Sequence, residues 1–179
     1  MTSVRLATPA DAALLAELGA RTFEETFAAE NRAEDMTLYL DRSYGTAQQS
    51  AELADPTMAT LLAELDGQVA GYAQLRSRRP PDCVEGPAPF ELWRFYVDRP
   101  WQGRGVAQAL MAEVRAEAVR RGARTLWLCV WERNERAKAF YRRCGFLDVG
   151  SQPFILGTDQ QTDRVLATAL SETFAEASR

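Results

Sequence analysis

The chain has 179 residues, 46% of them hydrophobic and 26% charged, which excludes a disordered chain or a disulfide-dense miniprotein and fits one domain with a real core. Twenty-one Lys and Arg against 25 Asp and Glu leave a net charge of -4, the wrong sign for gripping phosphate backbones, so nucleic acid is not an expected partner. The absence of His removes Ser-His-Asp and Cys-His nucleophiles, His-ligated metal and imidazole as acid or base, leaving Tyr, carboxylates, Lys and backbone to carry any catalysis.

Thr2 to Ala7 alternates like a short strand, and Thr8-Pro9-Ala10-Asp11 reads as the start of a helix running to about Phe27. A second helical region through Met36, Tyr39 and Leu40 extends toward Leu53 and is closed by Pro56. Thr57–Leu65 and Gln68–Arg76 flank Asp66-Gly67, the dipeptide of a type I′ turn, and so predict a hairpin. The proline-rich stretch 77–89 is a loop. Phe90–Val97 then reads as a strand, Val106–Arg121 as a helix ending at Gly122, and Thr125–Trp131 as a second strand. Strand, helix and strand in that order predict a βαβ unit with a parallel pair and right-handed crossover. Asn134 caps a further helix through Arg143, and Phe146–Leu156 with Arg164–Leu170 form a closing antiparallel pair around Gly157-Thr158-Asp159. The domain spans 1–170, followed by a polar tail over 171–179.

Cys83, Cys129 and Cys144 are odd in number and contain no CxxC pair, so neither a disulfide framework nor a metal site is expected. No basic leader with a long apolar run opens the chain, and no stretch approaches the ~18 apolar residues of a membrane span. A cytoplasmic location without membrane association is the expectation.

Two segments carry chemistry. Gln102-Gly103-Arg104-Gly105-Val106-Ala107 stands where a strand turns into a helix, and its small residues leave amide N–H groups open beside the positive helix end. It would seat a pyrophosphate, with Arg104 adding a charged contact. Position 108 is Gln rather than a small residue and Gly-Lys-Ser/Thr is absent, so neither the dinucleotide fingerprint nor a P-loop is present. In the later helix, Asn134, Lys138 and Tyr141 share one stripe beside Ala137.

Taken together these segments resemble the signatures of the Gcn5-related N-acetyltransferases (GNAT). Gln102 to Ala107 matches the first motif; Asn134, Ala137, Phe140, Tyr141, Gly145 and Phe146 match the second. The sequence is similar in particular to bacterial spermidine/spermine N-acetyltransferases of the sporulation-regulator type, through Thr22–Phe27, Trp127–Glu135 and Gly157–Asp163. Trp93 and Cys129 depart from that subfamily, which has a polar or acidic residue and Gly in their places.

The resemblance implies an α+β fold: a mixed, mostly antiparallel sheet of about seven strands with a central parallel pair, flanked by four or five helices. It also implies acetyl-CoA as co-substrate, no metal, and a small-molecule or peptide amine as acceptor, handled by a monomer or homodimer. Spermidine or spermine is one such acceptor; the rivals are another amine (a protein N-terminus, Lys, an amino acid or a drug) and a non-catalytic acetyl-CoA-binding module. Residues 102–107 would hold the pyrophosphate. Backbone near Phe95, Tyr96 and Val97, with Asn134, Ala137 and Lys138, would hold the pantetheine arm. Glu25 and Phe27 would line the acceptor side.

A primary amine with pKa near ~10.4 costs roughly 4.6 kcal/mol to deprotonate at pH 7, so a carboxylate must take its proton. The candidates are Glu91, Glu25 and Glu132. Tyr141, a phenol protonated at neutral pH, would return a proton to the departing sulfur.

Overall fold

The computed structural model describes residues 1–170; the polar tail expected over 171–179 lies outside the described residues. Seven strands, β1 (Ser3–Leu6), β2 (Met58–Leu65), β3 (Gln68–Arg76), β4 (Pro89–Val97), β5 (Thr125–Trp131), β6 (Leu147–Leu156) and β7 (Asp159–Ala169), form one sheet in the order β1-β2-β3-β4-β5-β7-β6. Only β4 and β5 run parallel; every other neighbouring pair is antiparallel. Five α-helices flank it: α1 (Ala12–Phe27), α2 (Ala33–Ser43), α3 (Thr46–Ala54), α4 (Val106–Arg120) and α5 (Glu135–Arg143). This is the expected α+β fold with its central parallel pair.

The larger core lies on the α4 side of the sheet. There Val106, Leu110, Met111 and Val114 pack on Leu61, Leu75, Leu92, Leu126 and Leu128, and Tyr141 and Phe146 join from α5 and the turn after it. On the opposite face, Leu15 and Leu18 of α1 cover Leu62 and Tyr72, and the loop residue Val84 covers Trp127, Val165 and Ala167. The hairpin turn has positive φ at both Asp66 (55°) and Gly67 (77°), as a type I′ turn requires.

Two boundaries differ from the sequence expectation. The second helical region is two helices, broken at Tyr44-Gly45: Gly45 is extended and caps α3, while Tyr44 is buried against α1, where a Cβ at Gly19 would lie 2.5 Å from its ring. The final strand starts at Asp159 rather than Arg164, which shortens the turn to Gly157-Thr158 and puts residues 160–163 into the sheet. That shift gives Asp163 a strand register and a facing direction.

Candidate active site

The parallel ladder between β4 and β5 is short. Pro89, Phe90 and Glu91 pair with Thr125, Leu126 and Trp127, and the pairing ends there. From Leu92 to Val97 the β5-facing edge of β4 has no strand partner, although β4 stays paired to β3 as far as Val97. A bulge opposite Gln74/Leu75 inserts Trp93 without a partner and re-aims the residues after it. Trp93 is held between two guanidiniums, Arg76 and Arg94, each 3.8 Å from its ring centroid.

Arg94 is fixed in turn by a buried network. Its Nη1 donates to Glu52 Oε2 at 2.7 Å and Gln74 Oε1 at 2.6 Å, and Gln74 Nε2 donates to Glu52 Oε2 at 3.0 Å. This buried pair, hydrogen-bonded through Arg94 Nη1 while Arg94 Nε has no partner among the described residues, ties α3 to β4 and so holds the strand that diverges.

Beyond β4, Asp98 caps a short turn over Arg99–Trp101, and Gly103 and Gly105 follow with φ of 78° and 83°. A Cβ at either glycine would meet nothing within 4 Å, so the surface above the turn is open. Gly105 is the N-cap of α4 and offers no side chain to it; the first helix bond runs from Ala109 N to the Gly105 carbonyl at 3.1 Å, which leaves the amides of Val106, Ala107 and Gln108 ahead of it. Gln102 Nε2 donates to the Val97 carbonyl at 2.9 Å and so ties the turn to the end of β4. The Arg104 guanidinium lies 5.2 Å over the Trp101 ring.

Asn134 caps α5, its Oδ1 accepting from Ala137 N at 3.1 Å. Tyr141 is 8% exposed, with its ring edge-on to Phe95, Phe140 and Phe146. Burial in this aromatic box raises its phenol above the ordinary value, so the hydroxyl stays protonated at neutral pH. Lys138 is engaged elsewhere: its Nζ donates to the Glu132 carbonyl and, at 2.7 Å, to Glu135.

The parted strands, α1, α2 and the β6–β7 pair enclose a cavity of about 210 Å³. Phe95, Tyr96, Asn134, Ala137 and Tyr141 line one part of it, and Phe27, Tyr39, Trp131 and Phe154 another. Two carboxylates line it, Glu91 and Asp163. Glu91 is buried, with Oε2 accepting from Arg76 Nε. Asp163 carries no such pairing among the described residues, and burial together with the Glu132 charge pushes its carboxyl up to about 6. Burial likewise pushes the Cys129 thiol up to about 12, so this cavity cysteine is a neutral acceptor for Gln152 Nε2 at 2.9 Å and not a nucleophile.

The structure thus brings Glu91, Phe95, Tyr96, Phe27, Asn134, Ala137 and Tyr141 to one cavity, with residues 102–107 at the adjacent helix start. Glu25 and Glu132 are exposed and do not line it, and Lys138 is turned aside. Sequence reasoning gave Asp163 no role. The available signal was an acid in phase, two residues apart, with the buried strand positions Val165 and Ala167.

A family model described as Acetyltransferase (GNAT) family matches residues 18–146. The chain belongs to that family of acetyltransferases. It is 34% identical over 149 residues to an uncharacterized N-acetyltransferase encoded in the pepI 3' region of Lactobacillus delbrueckii subsp. lactis, covering 83% of this chain and 86% of the relative. It is 35% identical over 149 residues to an aminoglycoside N(6')-acetyltransferase type 1 from Stenotrophomonas maltophilia, covering 80% and 85%. Among solved structures, the PaiA N-acetyltransferase of Thermoplasma acidophilum in complex with coenzyme A superposes with a TM-score of 0.78 over 94% of this chain and 99% of that one; at 17% identity the likeness is one of fold. Among the described residues no cluster of His, Cys, Asp or Glu could hold a metal, and no helix is long and apolar enough to cross a membrane.

Proposed function

We infer that this protein transfers the acetyl group of acetyl-CoA to a primary amine by direct attack, with a polyamine such as spermidine or spermine as acceptor. The observation that carries this reading is that Tyr141 and the unpaired edge of β4 open onto one cavity between strands that part after Glu91. Family membership and the coenzyme A in the Thermoplasma relative support it.

The residues fit the co-substrate, which supplies an activated acetyl thioester. Open space over Gly103 and Gly105 and the leading amides of α4 suit a diphosphate, whose charge the helix end favours. The free edge of β4 suits the pantetheine amides, which would bond to it as an added strand. Asn134 stands beside that path. A backbone N–H near Val97 would steady the oxyanion formed on attack. Tyr141 would then give its proton to the departing sulfur, and the burial that raises the phenol also disfavours a bare thiolate beside it. Glu91, expected from the sequence to take the amine's proton, has one oxygen already held by Arg76.

A polycation is favoured by the exposed acids Glu24, Glu25, Glu30 and Glu34 on and between the first two helices. The Stenotrophomonas relative supports a second reading, since an aminoglycoside is also an amine of several positive charges. Free-thiol release from acetyl-CoA with spermidine, spermine, tobramycin, lysine and an N-terminal-alanine peptide tests both. Turnover that depends on a polyamine is expected. Turnover with none of the amines would remove the catalytic reading and leave a coenzyme-binding module.

A further inference from the structure

Ion pairs neutralise most of the charge around the cavity. Arg76 is paired with Glu91, and Arg94 with Glu52 at 2.7 Å; Arg78 is exposed at the rim. One carboxylate is left over. Asp163 is 8% exposed and lines the cavity, and its carboxylate has neither a hydrogen bond nor an ion pair among the described residues. Its placement follows from the sheet: it sits between Trp131 of β5 and Gln152 of β6 in register, with its side chain in phase with Val165 and Ala167.

Two nearby amide donors are committed elsewhere. Gln152 Nε2 goes to Cys129, and Gln161 Nε2 to Asn31 and Asp159. A buried carboxylate without a donor is costly to keep, and a small cation is the ligand that removes the cost.

We propose that Asp163 is the seat of the acceptor's primary ammonium and the first acceptor of its proton. This rests on the acetyl-transfer reading above. The ammonium gives one proton to the Asp163 carboxylate, and its freed lone pair forms the C–N bond at the thioester carbonyl. The C–S bond then breaks, sulfur takes the Tyr141 proton, and the second proton lost from nitrogen restores the phenol. The proton on Asp163 leaves to water, so one proton is released per acetyl group transferred.

The groups facing Asp163 keep its titration legible. From β4 comes Glu91, held by Arg76 of β3; from β5 come Cys129 and, just beyond the strand, Glu132; from α2 comes Tyr39; Arg78 follows β3. Burial raises the Cys129 thiol and the Tyr39 phenol, so both stay neutral in the working range.

The test compares wild type, Asp163→Asn and Glu91→Gln, with spermidine as probe. Wild-type kcat/KM should follow a bell, rising through about pH 6 as Asp163 ionises and falling near ~10 as the ammonium is lost. In Asp163→Asn, kcat/KM at pH 7 should drop about 100-fold, and the profile should instead climb steadily toward ~10 with the free amine. Spermidine binding to the protein with coenzyme A present, read by calorimetry, should weaken about tenfold or more in the same variant while coenzyme A affinity holds. Unchanged kcat/KM and spermidine affinity in Asp163→Asn, or an acid limb that vanishes in Glu91→Gln and survives in Asp163→Asn, overturns the assignment. The binding arm separates the two readings. Spermidine that binds through Asp163 without turnover defeats acetyl transfer and keeps the seat. Coenzyme A binding without spermidine binding defeats the seat alone.

Discussion

Asp35 on α2 accepts two hydrogen bonds through one oxygen from Thr158 in the β6–β7 turn, from the backbone N at 2.6 Å and from Oγ at 2.8 Å. The contact joins parts of the chain 123 residues apart, and Gly157 sits so close that a Cβ there would lie 2.5 Å from Asp35 Cα. It docks the helix that brings Tyr39 to the cavity onto the hairpin that brings Asp163. Asp35 is therefore a structural clamp between the helix and the hairpin. The Thr158 donors hold its carboxyl below the ordinary range, so its contribution is present at neutral pH and is lost as pH falls through that lowered value. Asp35→Ala is expected to lower Tm by a few degrees and raise the amine KM more than the acetyl-CoA KM. Equal effects on both would place the damage outside the acceptor side.

Gly105 and Gly67 share a left-handed backbone, φ 83° and 77°, and open space at the Cβ position. Replacing either by Ala should cost about 1 kcal/mol of stability from the backbone alone. Only Gly105→Ala should also raise the acetyl-CoA KM, because only there does the added methyl face the proposed diphosphate. Matching KM values in the two variants would detach the turn from co-substrate binding.

Asp163 costs the folded protein stability, and the sign is set by its raised carboxyl. Below about pH 4 folded and unfolded chains both hold the proton and there is no cost. Between about 4 and about 6 the unfolded chain releases it first, so stability falls as pH rises, and above 6 the cost levels at about 3 kcal/mol. Asp163→Asn should therefore gain stability relative to wild type between pH 4 and pH 7, by denaturant titration at each pH. The new amide also lacks a partner, so the pH difference is the cleaner measure. A gap between the two proteins that does not change with pH would contradict the buried, unpaired carboxylate.

Local chemistry made much of this fold legible. Asp66-Gly67 dictates its turn through two positive φ values, Asn134 caps α5 through a bond three residues away, and strand-helix-strand spacing gives the parallel pair. Tertiary packing hid the rest. The break at Tyr44 depends on a ring fitting against Gly19, and the early start of β7 depends on pairing with β6. The stripe containing Lys138 and Tyr141 was readable, but not that Glu135 and the Glu132 carbonyl would hold the lysine. Asp163 becomes meaningful only where β3, β4, β5, β6 and α2 meet around it, and no window of the sequence contains that meeting.

Acetyl transfer by this route requires Tyr141 to face the sulfur of acetyl-CoA across the gap between β4 and β5. Tyr141→Phe keeps the ring packing with Phe95, Phe140 and Phe146 and removes only the hydroxyl, which has no hydrogen bond among the described residues. The most direct measurement is kcat for thiol release by this variant at saturating acetyl-CoA and amine, beside coenzyme A affinity by calorimetry. The expected result is a kcat lower by about 100-fold with affinity within twofold of wild type. A variant that turns over at the wild-type rate would contradict it.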